Sequence, residues 1–167
     1  MPDIAKSDTS TPQESTAEIL GRVPSGLFIL TARHGEEETG MLASWVMQAG
    51  FEPPMVSVAL RQGRPVADWL TAGNPFVLNV LGESHKSLLK HFGRGFEPGE
   101  PAFQGLQFER APDGAPILAD TLGHLECRPV GQIDSGDHRV FLAQITGGRL
   151  NDGTSPYVHI RKNGLRY

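Results

Sequence analysis

Residues Met41–Leu60 read MLASWVMQAGFEPPMVSVAL. A strand ending near Gln48, a Pro53-Pro54 corner and an alternating run Met55–Leu60 follow one another without a helical repeat. Apolar residues at every second position mark a half-buried strand. Upstream, Leu27-Phe28-Ile29-Leu30-Thr31 reads as a strand, His34–Glu38 as a charged hairpin turn, and Gly40–Gln48 as the return strand. Downstream, Phe76-Val77-Leu78-Asn79-Val80-Leu81 has the length and composition of a strand buried on both faces. Leu106–Arg110, Ile117–Leu118, His124–Ile133 and His138–Leu150 complete six or seven strands. Helices are expected from Ser15 or Thr16 to Arg22, from Pro65 to about Leu70, and over His85–Phe92, with a short one inside the Gly- and Pro-rich stretch Gly93–Gly105. Strands succeed one another without a strict βαβ rhythm, so the expected fold is mainly β: an antiparallel barrel with helical insertions.

The 167 residues suffice for one domain with a real core. Hydrophobic residues make up 38% and charged residues 20%, ordinary globular values, while 20 Gly and 13 Pro favour many turns. A net charge of −4 with no Lys/Arg run argues against a nucleic-acid partner. Cys127 is the only cysteine, so no internal disulfide can form, and a reducing, cytoplasmic setting is expected. No run approaches the length of a membrane span, so no membrane association is expected. Met1–Thr16 is polar and rich in Ser, Thr and Pro, and is expected to be a flexible tail ahead of a domain over residues 17–167.

Metal chemistry has little support. Cys127 lacks the further cysteines of a zinc deaminase, and His85 and His91 lie on different helix faces. Neither a dinucleotide fingerprint, a P-loop nor a nucleophile elbow occurs. Four segments remain. In the first, Ala43, Ser44, Trp45, Val46, Gln48 and Ala49 combine small residues, an aromatic ring and an amide, which suits a flat ligand that needs backbone bonds and an apolar face. The same segment reads equally as a buried strand with Trp45 as plain core. The second, Arg61-Gln62-Gly63-Arg64-Pro65-Val66, joins a strand to a helix start, where Arg61 or Arg64 offers a fork of donors to phosphate; solvated arginines in a surface turn are the alternative. The third, Gly136-Asp137-His138, puts an imidazole at a strand edge, as a ligand contact or as a structural histidine. The fourth is the C-terminus, where Tyr157, His159 and Arg161 alternate on one face, as a ligand lid or a solvated tail.

Taken in order, GRVPSGLFILTA, MLASWVMQAGFEPPMVSVAL, GRPV, FVLNVL, LLKHF with FEPGE, APILADTLGHLEC, GDH and HIRKNGLRY resemble the flavin reductase-like, FMN-binding split-barrel family from about Gly21 to Tyr167. The resemblance is strongest to the C-terminal flavin reductase domain of photosynthetic-type flavodiiron proteins. The chain has no room for their diiron and flavodoxin modules, and is expected to be the reductase module standing alone. The resemblance implies a six-stranded Greek-key split barrel, a homodimer, and FMN near the dimer interface. It implies that Ala43, Ser44, Trp45, Val46, Gln48 and Ala49 wrap the flavin, that Arg61, Arg64 and Val66 meet its phosphate, and that His138 sits at the nicotinamide pocket. Ala43 and Gly50 stand where relatives often carry hydroxyls, so those hydrogen bonds fall to the backbone or to Ser44. The implied activity is an NAD(P)H-dependent flavin reductase, with FMN bound, or FAD or riboflavin as substrate. An electron-acceptor protein is a candidate partner. A non-enzymatic FMN electron-transfer module is the main alternative. A pyridoxamine-phosphate oxidase-like protein is a weaker one, since it would want a richer basic cluster than Arg61 and Arg64.

Overall fold

The computed structural model describes residues 11–151, 153 and 155–166. The first ten residues of the expected tail lie outside them. The chain divides into two units, one made of its two ends and one spanning Gly26–Val158.

In the first unit, helix α1 spans Pro12–Arg22. It starts earlier than the expected Ser15 or Thr16 cap because Thr11-Pro12-Gln13-Glu14 forms a capping box. The Thr11 hydroxyl accepts the Glu14 N–H at 3.3 Å, and the Glu14 carboxylate accepts the Thr11 N–H at 2.6 Å. Thr16 is inside the helix, its hydroxyl donating back to the Pro12 carbonyl. The C-terminal segment packs on α1: Arg161 N–H donates to the Gly21 carbonyl at 2.9 Å, Gly164 N–H to that of Ala17 at 2.6 Å, and Ser25 and His159 exchange both backbone bonds. The approach needs glycine, since a Cβ at Gly164 would lie 2.1 Å from the Leu20 Cβ. Residues 159–166 therefore lie docked against α1 in this unit, with Gly164 buried and the others half-buried or exposed.

The second unit is built on a seven-stranded sheet. Its strands are β1 (Phe28–His34), β2 (Glu37–Ala43), β3 (Val46–Phe51), β4 (Pro54–Arg61), β5 (Phe76–Val80), β8 (Gly123–Ser135) and β9 (His138–Leu150); β6 (Phe108–Arg110) and β7 (Pro116–Leu118) pair separately. All pairs are antiparallel, in the order β2-β1-β5-β8-β9-β4-β3. The edge strands β2 and β3 are consecutive in the chain. The expected single strand Gly40–Gln48 is broken at Ser44-Trp45: its first half pairs with β1 through Ala43–Phe28, and its second half pairs with β4 from Val46–Val58. One run of chain thus joins both edges of the sheet, giving a mainly β split barrel.

The core lies inside this barrel. Leu30, Val58, Leu60, Phe76, Leu78 and Phe141 are buried there. Helix α2 (Pro65–Thr71) adds Val66, Ala67, Trp69 and Leu70. A second cluster, around Ile29, Leu81, Leu88, Phe92 and Phe103, is covered by helix α3 (Lys86–Phe92). As expected for a strand covered on both sides, Phe76, Val77, Leu78 and Asn79 are all fully buried. Asn79 satisfies its amide there by donating to the Ile29 carbonyl and accepting from Leu118 N–H. The short helix expected within Gly93–Gly105 is absent; the stretch is a chain of turns. Gly95, Gly99 and Gly105 take positive φ, and Pro98 and Pro101 interrupt the intervening residues.

Candidate functional site

Strands β8 and β9 turn through Gly136-Asp137, with Ser135 opposite His138. Gly136 has φ +61° and Asp137 does not, the pattern of a type II′ hairpin with glycine first. On the other side of β9, His138 pairs with Arg61, the last residue of β4. Gln62 ties the two ends together, its N–H bonding the Asp137 carbonyl at 3.0 Å and its side-chain amide bonding the carbonyls of Gly136 and His138. The barrel seam arrives at the same place. The Trp45 carbonyl accepts the Ala59 N–H, and the Trp45 ring lies 4.6 Å from the His138 ring at 45°. Residues far apart in sequence therefore meet: Trp45, Arg61, Gln62, Asp137 and His138.

The electrostatics are local and specific. His138 is buried to 6% exposure, and its Nδ1 lies 2.7 Å from the Asp137 carboxylate. That hydrogen bond, with the charges of His138 and Arg61, holds the Asp137 carboxyl below its usual range although the group is in solvent. Asp137 therefore stays ionised at neutral pH. Neighbouring Arg139 is fixed by Asp134 and by the Thr71 hydroxyl.

The other sequence candidates lie elsewhere. Ala43 is buried at the end of β2, and Ser44 is half-buried at the seam. Val46, half-buried, packs against the core opposite Val58, and the side chain of Val66 is buried in it. Gln48 and Ala49 are exposed along β3, where the register slips between Gln48 and Gly50 and leaves Ala49 as a bulge. Arg64 caps α2 with its backbone only. Arg64 lines a cleft with Thr39, Met41, Phe96 and Glu97, and its guanidinium lies against Gly95. Among the described residues, no three His, Cys, Asp or Glu side chains gather as a metal site. No helix among them is long and apolar enough to cross a membrane.

The profile described as a flavin reductase-like domain matches residues 20–165. The chain belongs to the flavin reductase-like domain family. Among curated relatives, diflavin flavoprotein A 1 of Synechocystis is 41% identical over 150 residues, covering 89% of this chain but 26% of the relative. A putative diflavin flavoprotein A 1 of Thermosynechococcus vestitus is 42% identical over 151 residues, again covering 89% and 26%. This flavin reductase-like chain thus spans about a quarter of the curated relatives it matches. Among solved structures, the NADH:FAD oxidoreductase SgcE6 of Streptomyces globisporus superposes with TM-score 0.78 at 23% identity, over 95% of this chain and 91% of that one. Flavin reductase HpaC complexed with NADP+ superposes with TM-score 0.75 at 23% identity, over 86% and 90%. The split barrel is shared with both.

Asp137 and Gln62 were visible in the sequence only as neighbours of candidates. A hairpin turn between two strands is the signal that would have paired Asp137 with His138. The bond from Gln62 crosses strands and has no local signature.

Proposed function

We propose that this chain is an NAD(P)H:flavin oxidoreductase that binds FMN and passes it a hydride from the nicotinamide. The observation that carries the reading is the meeting of the Trp45 and His138 rings beside Arg61, at the seam of a flavin reductase-like barrel. The residues present suit a flavin. Trp45 offers an apolar ring face, the broken strand at Ser44-Trp45 and the Ala49 bulge offer backbone groups outside a regular ladder, and Arg61 and Arg64 offer cations. A bound flavin supplies the hydride-accepting ring, so no protein nucleophile is needed. The chain's own work is placement. Ala43–Ala49 would hold the ring through backbone, Ser44 and Gln48. Arg61 and Arg64 would neutralise phosphate, Val66 would contribute backbone, and His138 would orient the nicotinamide, so that rate comes from proximity. FAD or riboflavin would be accepted as released substrates. One structural neighbour is an NADH:FAD oxidoreductase and another is a flavin reductase in complex with NADP+, which supports a nicotinamide reductant here.

The reading includes a homodimer. Exposed Met47, Ile133 and Leu142 lie on the strand faces turned away from the barrel core, near Trp45, and a second copy would cover them. The lone, buried cysteine suits a reducing cytoplasm.

The test is oxidation of NADH and NADPH with added FMN. Turnover with flavin, and a yellow protein whose chromophore is identified after denaturation, is the expected result. Saturating FMN with either nucleotide and no turnover above buffer overturns it. The length of the relatives favours one alternative, an FMN electron-transfer module reduced by a partner protein. Stopped-flow mixing separates the two, since such a module would hold FMN yet resist direct reduction by both nucleotides.

A further inference from the structure

We infer that His85 is an acid-sensitive latch: its neutral imidazole locks the turn between β5 and α3, and protonation releases that turn together with residues 155–157, which pair with it. The turn is closed twice. The His85 N–H donates to the Gly82 carbonyl at 3.1 Å, and the Gly82 N–H donates back to His85 Nδ1 at 2.8 Å. A ring nitrogen accepts only while it carries no proton, so the second bond requires a neutral ring with its hydrogen on Nε2. Nε2 lies 3.7 Å from the Asp120 carboxylate. A charged ring would set a donor on Nδ1 against the Gly82 N–H. Gly82 and His85 are both buried, so the two donors would face each other in a place shielded from water. The ring then has to turn away, with Asp120 as its ion partner.

The turn holds a second segment of the same unit. The Glu83 N–H donates to the Ser155 carbonyl at 3.1 Å, the Tyr157 N–H donates to that of Leu81 at 2.9 Å, and Gly82 forms a bridge with Pro156. Tyr157 packs on the cluster around Leu81 and Leu88. The His85 carbonyl also accepts the Leu89 N–H, so the start of α3 depends on the same residue. Among the described residues, Asp120 is the charged group in ion-pair contact with the ring. Glu83 on the turn and Lys86 on α3 are its charged chain neighbours, and both are exposed. Residues 155–157 bring one titratable group, the Tyr157 phenol. His91, further along α3, behaves differently. Its Nε2 lies 2.8 Å from the Ala102 carbonyl, an acceptor for a neutral or a charged ring, so acid leaves that contact in place.

The experiment uses the full chain and amide hydrogen exchange by NMR at about pH 8 and about pH 5, with the His85 ring nitrogens read in the same samples. At the higher pH the ring should show the Nε2–H form. Protection factors of the Gly82, Glu83 and Tyr157 amides should fall about tenfold at the lower pH, the scale of one lost hydrogen bond, in step with protonation of the ring. His85→Asn supplies a carbonyl oxygen that can accept the Gly82 N–H and does not titrate. It should keep these three amides protected at both pH values, while the Ser25 and His159 amides retain their own response. His85→Ala should leave the three weakly protected throughout. Unchanged protection in the unmodified chain, a neutral ring carrying its proton on Nδ1, or a fall that persists in His85→Asn overturns the inference.

Discussion

Cys127 shows how position decides the chemistry of a side chain. It is 1% exposed in the barrel core, and burial, with the nearby charge of Glu126, pushes its thiol up to about 12. It should resist iodoacetamide in the native protein and react once the protein is unfolded. The folded state favours the protonated thiol, so this stabilisation is complete below the unfolded value near 9 and is lost as pH rises toward 12. Denaturation midpoints should fall over that window at up to about 1.4 kcal/mol per pH unit, and Cys127→Ala should flatten the slope. At the proposed site, His138→Ala should slow reduction by NAD(P)H while leaving FMN bound, as rapid-mixing absorbance would record. Equal loss of both would make His138 structural or a flavin ligand. Trp45 and His138 could each be marked in the sequence, but not their contact, because Trp45 reaches it only through the register of β3 on β4. Val66 shows a different limit: the sequence places it beside Arg64, while the helical turn that sends its side chain into the core is set by packing.

Local glycines set the elements. A Cβ at Gly40 would lie 2.6 Å from the Phe92 ring, so β2 and α3 meet only because that position has no side chain. Phe92 is fully buried with edge contacts to Phe96, and Phe92→Ala should cost about 3–5 kcal/mol in urea unfolding. Thr11→Ala removes the capping box of α1 and should cost about 1 kcal/mol, read as lost amide protection in its first turn. Hairpins and doubly buried strands were legible because alternation and turn glycines are local signals. The break at Ser44-Trp45 was not, because Gly40–Gln48 remains a good strand on both sides of it. Only the need to reach two different neighbours divides it. The turns over Gly93–Gly105 carried their own prohibition of a helix in the spacing of glycine and proline.

At the scale of the molecule, the end-formed unit carries a pH response. Burial, then the charge of Arg161, holds His159 below its ordinary value, so the folded state favours the neutral ring. Its contribution is present above about pH 6.5 and is lost as pH falls further. Protection factors of the Ser25 and His159 amides, which bond each other's backbone, should drop between pH 8 and pH 5. The proposed homodimer has its own test: Ile133→Glu, on an exposed apolar position, should give monomers by sedimentation where the unmodified chain gives dimers, with an unchanged circular dichroism spectrum. The divided strand also bears on aggregation. Because β2 serves β1 and β3 serves β4, each half leaves one of its own sides unpaired among the described residues. Long bare sides of this kind recruit strands from other chains into fibrils. Here they are short, and each carries a deterrent. Glu37 and Glu38 put charge on β2, while the Ala49 bulge and the Pro53-Pro54 corner bend and end the run at β3. The charge, the bulge and the proline corner thus disfavour growth by adding backbone to backbone, and leave the proposed homodimer to form through side chains.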